Sequence, residues 1–239
     1  MPSSADGEPE PGPGRPHDHG KPREEYVETP LGKARIATYE AGRPVLRLVL
    51  GHGAGRGIDS ADLLFLAAHL PARRVEVVLV EQPWRVAGGR VAPAPARLDV
   101  AWLAVLQQLR PRLAPLPLVV GGRSAGARVA CRTAVAVGAV GVLALAFPLH
   151  PPGQAERSRL PELLGAGVPT RVVQGARDVF GAPTDFPGTV DVAAVPYADH
   201  SFRVPAAAPI TGREALAIVA GAAASWLRGD VRLGPDRAV

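Results

Sequence analysis

Among the seven serines of this 239-residue chain, Ser124 stands where a hydroxyl can be made into a nucleophile. It is the centre of Gly122-Arg123-Ser124-Ala125-Gly126, a G-x-S-x-G that follows the apolar run Leu118-Val119-Val120 and continues into an Ala-rich stretch of helical character. A sharp strand-to-helix turn lifts such a serine above the carboxyl edge of a sheet. The positions two before and two after it must be small for the backbone to fold so tightly. Gly122 and Gly126 meet that demand. With 27 glycines in the chain, composition alone also produces the pattern, as a Gly-rich turn capped by Ser124. The strand before it and the helix after it favour the nucleophile turn.

A serine hydroxyl needs a histidine to take its proton and a carboxylate to orient that histidine. Where the serine sits on this kind of turn, the chain order is serine, acid, histidine. His200 follows a suitable acid and precedes the last expected helix. His17 and His19 lie in the Pro/Gly-rich start, His69 lies within an expected helix, and His150 comes before the acid. The acid is expected at Asp178, because Gly175-Ala176-Arg177-Asp178 closes the strand expected over 171–174. Asp199 adjoins His200, and sequence neighbours in a turn point apart, so it reads as a loop acid or cap. Asp185 and Asp191 lie beyond the strand end, and the loop beginning Phe147-Pro148-Leu149-His150 offers no carboxylate. Ser124 as nucleophile, His200 as general base and Asp178 as its orienting acid form the expected set. The plainer alternatives are a hydrogen-bonded loop histidine and a surface ion pair.

Acyl transfer also requires amide donors for the oxyanion, each worth about 3 to 4 kcal/mol. The Ala125 amide is one. The other is expected from Ala54, since the third strand runs into Gly51-His52-Gly53-Ala54-Gly55. That glycine spacing matches neither G-x-x-x-x-G-K-[ST] nor G-x-G-x-x-G, which disfavours a nucleotide phosphate. His52 is expected to brace the loop, with substrate contact as a secondary possibility. Arg123 and Arg128 flank the serine; ion pairing is their first reading and an acidic substrate group their second.

These residues need a sheet to hold them. Strand-like runs fall at 26–29, 34–39, 46–50, 75–80, 116–120, 142–147, 171–174 and 190–195, with helical stretches at 60–70, 97–113, 124–137, 156–164 and 212–228. From the third run on, most are continuously apolar, as in a parallel sheet covered on both faces, and the first two are expected as an antiparallel edge. Thr211-x-x-Glu214 reads as a capping box and Gly229 as a stop. The expected fold class is α/β: a mostly parallel, doubly wound sheet of about eight strands with helices on both faces. Between Phe147 and Thr170 the chain is too short and too rich in proline for a large lid. Residues 1–25 read as a disordered Pro/Gly-rich lead, 26–229 as the domain and 230–239 as a flexible tail.

The formal charge is +5, yet all basic residues except Lys21 and Lys33 are arginines scattered without a basic run, so no nucleic-acid partner is expected. No run reaches the roughly 18 apolar residues of a membrane span, and the expected location is cytoplasmic. Cys131 is the single cysteine, which excludes an intrachain disulfide and a thiolate metal cluster. Neither metal nor cofactor is called for.

On Gly51-His52-Gly53-Ala54-Gly55, Gly121-Gly122-Arg123-Ser124-Ala125-Gly126-Ala127-Arg128, Phe147-Pro148-Leu149-His150-Pro151-Pro152-Gly153, Gly175-Ala176-Arg177-Asp178-Val179-Phe180-Gly181 and Ala198-Asp199-His200-Ser201-Phe202, the chain resembles the α/β-hydrolase superfamily. Within it the likeness is to the small lidless branch of KANL-type and testis-expressed Tex-type hydrolases, and more distantly to dienelactone hydrolases. It departs from the commoner pattern at Ala125, where methionine is frequent, and at Ala127, where glycine is frequent. The resemblance implies Ser124, Asp178 and His200 as a triad. The function expected is hydrolysis of a small carboxylic ester or thioester through an acyl-enzyme. The alternative is a non-catalytic binding or scaffold protein on the same fold, with a protein partner.

Overall fold

Short apolar runs punctuated by glycine and proline become eight strands in the computed structural model, which describes residues 21–113 and 115–229. They are β1 (Arg23–Thr29), β2 (Gly32–Tyr39), β3 (Leu46–Gly51), β4 (Val75–Glu81), β5 (Leu118–Arg123), β6 (Gly141–Leu145), β7 (Thr170–Gly175) and β8 (Asp191–Val195). They form one open sheet in the order β1-β2-β4-β3-β5-β6-β7-β8. β1 pairs antiparallel with β2 and β2 antiparallel with β4, while every pairing from β4 to β8 is parallel. The antiparallel edge is therefore as expected. β1 opens at Arg23, three residues before the expected domain start at 26, so residues 23–25 belong to the sheet. Residues 1–20 of the expected lead, with His17 and His19, and the tail 230–239 lie outside the described residues.

Alternation along the strands feeds two cores. Leu48, Leu50, Val77, Leu79, Leu143 and Val173 point to the face covered by α1 (Ala61–His69) and α6 (Gly212–Gly229). Val49, Val78, Val120, Val142, Ala144 and Val172 point to the opposite face. There they meet α3 (Pro95–Leu113), α4 (Ala125–Thr133) and α5 (Leu160–Leu164); α2 (Pro83–Val86) is a single turn after β4. Both faces are covered, as the continuous apolar strands require. The capping box forms at α6: Glu214 Oε2 accepts the Thr211 amide at 2.7 Å, and Thr211 Oγ1 accepts the Glu214 amide at 3.2 Å.

Two helical expectations shift and one helix is new. α4 ends at Thr133 rather than 137, where the Thr133 hydroxyl donates back to the Val129 carbonyl at 2.7 Å and Gly138, at φ +68°, turns the chain. α5 begins at Leu160 rather than 156. Ahead of it Ser158 Oγ accepts the Leu160 amide and the Arg159 amide is drawn to Leu149 O, so a turn replaces the first helical residues. α2 was not expected; its four residues are too few to show a period. The segment between β6 and β7 carries only the five-residue α5, and no larger helical insertion covers the carboxyl edge among the described residues.

Candidate active site

At the carboxyl end of β5 the chain turns through Ser124 with φ +52° and ψ −109°, a strained conformation for a residue with a side chain, and enters α4 directly. The Ser124 amide donates to Leu145 O of β6 at 2.9 Å. The flanking glycines are explained by close approach. A Cβ on Gly126 would stand 2.5 Å from Gly51 O, and one on Gly122 would stand 2.5 Å from the same oxygen. The turn thus packs directly against the end of β3, with no room for a methyl group on either side.

Ser124, His200 and Asp178 meet above this edge. The Ser124 hydroxyl and His200 Nε2 are 3.0 Å apart, and His200 Nδ1 lies 2.7 Å from Asp178 Oδ2. In the neutral imidazole, Nδ1–H donates to the carboxylate and Nε2 accepts from the hydroxyl. Asp178 is buried, and its oxygens also accept the Phe180 amide at 2.8 Å and the Gln174 side-chain amide at 2.9 Å. Gln174 Nε2 also reaches Phe147 O and Gly181 O, so the last polar residue of β7 holds both the acid and the loops around it. The sequence signal for Gln174 was a polar side chain inside an apolar strand. Gly175 allows the acid and histidine loops to close together: a Cβ there would lie 2.6 Å from both Ala198 O and Asp199 O. Asp199 turns away, its Oδ1 accepting the Ser201 and Arg203 amides at 2.7 and 2.9 Å, which makes it the loop cap expected from its place beside His200.

The two amides proposed for the oxyanion stand on adjoining backbones. A Cβ on Gly53 would be 3.5 Å from Ser124 Cβ, so the loop after β3 lies beside Ser124. Neither the Ala54 nor the Ala125 amide has a hydrogen-bond partner among the described residues. His52 braces the loop from beneath: its Nε2 accepts the Gln82 amide at 3.0 Å, which leaves the proton on Nδ1, donated to Gly53 O at 2.8 Å. Burial holds its pKa below the usual histidine range, against the opposing effect of its hydrogen bond to the Gly53 carbonyl. Both ring nitrogens are thus engaged within the protein.

Arg123 turns inward. Its Nη2 donates to His200 O at 2.8 Å and to Ser201 Oγ at 3.0 Å, and its Nε stands 3.2 Å from the Asp62 carboxylate of α1. Both side chains are almost fully buried, at 8 and 2% exposure. Arg128 points to α5, where Glu162 meets it with both oxygens and also accepts from Arg132, which in turn pairs with Asp99 of α3. Burial pushes the Glu162 carboxyl up, but the hydrogen bonds and charges of Arg128 and Arg132 outweigh it and hold it below the ordinary carboxylate range.

A small crevice of about 10 Å³, room for about one water molecule, lies beside Ala54 and Ala125 between β3, α2, α3 and α4. No group of three His, Cys, Asp or Glu side chains is gathered as metal ligands among the described residues. Nor is any of their helices long and apolar enough to cross a membrane.

Known proteins share this architecture. A lidless α/β serine hydrolase from Xanthomonas campestris superposes with a TM-score of 0.68 at 16% identity, over 90% of this chain and 97% of that one. An α/β serine hydrolase homologue from Coxiella burnetii gives 0.67 at 14% identity, over 86 and 97%. A dienelactone hydrolase from Anabaena variabilis gives 0.64 at 19% identity, over 87 and 98%. At these identities the likeness is one of fold. No curated protein matches. The α/β-hydrolase domain family matches residues 44–228, the span from the approach to β3 through the last helix, and with the strand order and the nucleophile turn this makes the chain a member of the α/β-hydrolase family.

Proposed function

We propose that the protein hydrolyses small carboxylic esters or thioesters through an acyl-enzyme formed on Ser124. His200 Nε2 takes the hydroxyl proton as Ser124 Oγ bonds to the substrate carbonyl carbon, and the carbonyl oxygen, now negative, accepts from the Ala54 and Ala125 amides. The bond to the leaving oxygen or sulfur then breaks, and the imidazolium proton goes to that atom. Water, deprotonated by His200, next attacks the acyl carbon and frees the acid, with the proton returning to Ser124. Asp178 stays ionised throughout, holding the Nδ1–H tautomer and stabilising the imidazolium. Gln174 and Arg123 are positioning residues for the acid and the histidine loop.

The observation that carries this reading is the unbroken line Ser124 Oγ, His200 Nε2, His200 Nδ1 and Asp178 Oδ2, beside two unpartnered amides. That Arg123 and Arg128 are occupied by carboxylates and loop oxygens counts against an acidic group as their ligand, and the same ion pairing draws positive charge away from a nucleic-acid surface. We place the protein in the cytoplasm, where its one buried thiol stays reduced.

Labelling of the intact protein with an alkyl fluorophosphonate, read by mass spectrometry, tests the proposal. One adduct on Ser124 is expected. Ser124→Ala should abolish it and lower ester turnover by a factor on the order of 10⁴ or more with the fold intact. Folded wild-type protein that takes no label would instead favour the binding or scaffold reading.

A further inference from the structure

Of the chain's five phenylalanines, Phe147, Phe186 and Phe202 are buried in the two cores and Phe65 packs against one of them. Phe180 belongs to neither core and is only partly buried. Its ring lies instead against the His200 imidazole, with centroids 4.3 Å apart and planes inclined by 37°. At that separation two rings cannot meet edge to edge, so they overlap by their faces, offset. Core packing therefore does not account for this side chain; its contact with the base of the proposed reaction does.

The loop is fixed so that the ring stays there. The Phe180 amide donates to Asp178 Oδ1 at 2.8 Å, and the Phe180 carbonyl accepts the His150 amide at 3.0 Å. The next residue, Gly181, has φ +128° and its carbonyl accepts from Gln174 Nε2 at 2.7 Å; a Cβ there would stand 2.8 Å from Leu149 Cβ. One residue thus touches the acid through its backbone and the histidine through its ring. His200 has use for such a contact. Its hydrogen bonds to Asp178 and Ser124 act at the ring edges, and 18% of its side chain is exposed. In each turnover the link at Nε2 is given up, because once Ser124 Oγ has bonded to the acyl carbon the Nε2 proton must reach the leaving atom. The imidazolium is then oriented by Asp178 and by what lies against its face, and an aromatic face attracts a cation.

Resting on the reaction proposed above, we infer that Phe180 is a positioning residue for His200. Its ring keeps the imidazole aligned with Asp178 while Nε2 passes from the serine hydroxyl to the leaving atom, and its face attracts the imidazolium formed in between.

Phe180→Leu keeps an apolar side chain on the loop without the aromatic face, and Phe180→Tyr keeps the ring. On p-nitrophenyl acetate, Phe180→Leu should lower kcat about tenfold and move KM less than about twofold, while Phe180→Tyr stays within about twofold of wild type in both. A second readout needs no turnover. In protein carrying 15N-labelled histidine, the Nδ1–H that His200 donates to Asp178 gives a downfield proton resonance, assigned by its loss in His200→Gln. The Nδ1–H that buried His52 donates to Gly53 O serves as the reference for an intact fold. The His200 signal should broaden or vanish in Phe180→Leu and persist in Phe180→Tyr, with the His52 signal present in both. The same pattern in a protein that turns over no ester would remove the hydrolase reaction and leave the positioning standing. Wild-type kcat with an unchanged His200 signal in Phe180→Leu overturns the inference. So does a raised KM at unchanged kcat, which would make Phe180 a substrate contact instead.

Discussion

Arg123→Met should separate two effects that a single side chain now combines. The Arg123 guanidinium stands 3.2 Å from Asp62 Oδ2, yet that oxygen accepts no hydrogen bond, so the contact is a charge pair of imperfect alignment in a nearly closed environment. Removing the cation leaves a buried carboxylate without its partner, a change that costs about 3 to 5 kcal/mol in comparable pairs. For a domain of this size that lowers Tm by roughly 6 to 20 °C. Replacing both charges removes the buried carboxylate as well. Because the original alignment compensates desolvation poorly, Asp62→Leu with Arg123→Met should recover most of the loss, to within about 1 to 2 kcal/mol of wild type. Catalysis should not recover with it. Arg123 Nη2 is the donor to His200 O and Ser201 Oγ, and both variants free that loop, so kcat should fall about 10- to 100-fold in each while KM moves little. Urea denaturation gives the stabilities and steady-state kinetics on a short ester gives the rates. If Arg123 instead held an acidic substrate group, KM would rise and kcat would stay. If the double variant regained full kcat, the histidine loop would not depend on the arginine and the reasoning here would fail.

Glu162 gives a pH-dependent test. With its carboxyl held below the ordinary 4.5, it contributes stability that is present above that value and is lost as pH falls through the lower folded-state value. Glu162→Gln should therefore lower stability by about 1 kcal/mol at pH 7, a Tm shift of roughly 2 to 4 °C, and the gap to wild type should narrow as pH falls below the ordinary carboxylate value of 4.5. Burial pushes the Cys131 thiol up to about 12, so native protein should resist iodoacetamide at pH 8 and react only when unfolded. Among unsubstituted p-nitrophenyl esters, acetate and butyrate should be turned over at least as well as palmitate. No large helical insertion among the described residues covers the carboxyl edge, so nothing there encloses a long chain. A steady rise in kcat/KM up to palmitate would reveal an enclosed acyl tunnel.

What the sequence discloses here is mostly what backbone sterics and chain order control. The glycines at 122 and 126 are legible because their spacing answers to one local demand, contact with the end of β3. Asp178 and His200 are legible because each follows a strand-like run in the order such a serine requires, and the structure brings both to Ser124. Strands β3, β4, β7 and β8 were read to within a residue of their ends, since a strand buried on both faces is a continuous apolar run. By contrast, β1 begins three residues earlier and β5 runs three residues further than the apolar pattern shows, through charged residues and glycines. Helix ends were less legible. The stop at Thr133 and the late start at Leu160 depend on side-chain competition for the backbone that no hydrophobic period records. Least legible were the polar supports. Arg123 pairs with Asp62 from α1 and with the loop of His200, and nothing in the local sequence of any of the three names the other two. The same holds for Gln82, which ties the end of β4 to α3 through Leu98 O and to the loop after β3 through His52.

These supports bear on how the site can work without a substrate to organise it. Oxyanion loop, nucleophile turn and histidine loop come from three separate stretches of chain, and each is fixed to a neighbour by a contact that tolerates little movement. Gly51 O against Gly122 and Gly126 sets the end of β3 relative to the nucleophile turn, and Gly175 against Ala198 O and Asp199 O sets the histidine loop relative to the acid. Arg123 then links the two halves, because it belongs to the strand that carries Ser124 and donates to the loop that carries His200. For the proposed reaction, a site held this way would have its donors aimed before charge develops, leaving little reorganisation for the chemical step. The strained backbone of Ser124 is sustained by the same contacts, since relaxing it would move α4 off Gly51. Gly126→Ala, which sets a methyl group 2.5 Å from Gly51 O, should for that reason impair turnover even under conditions where the domain still folds.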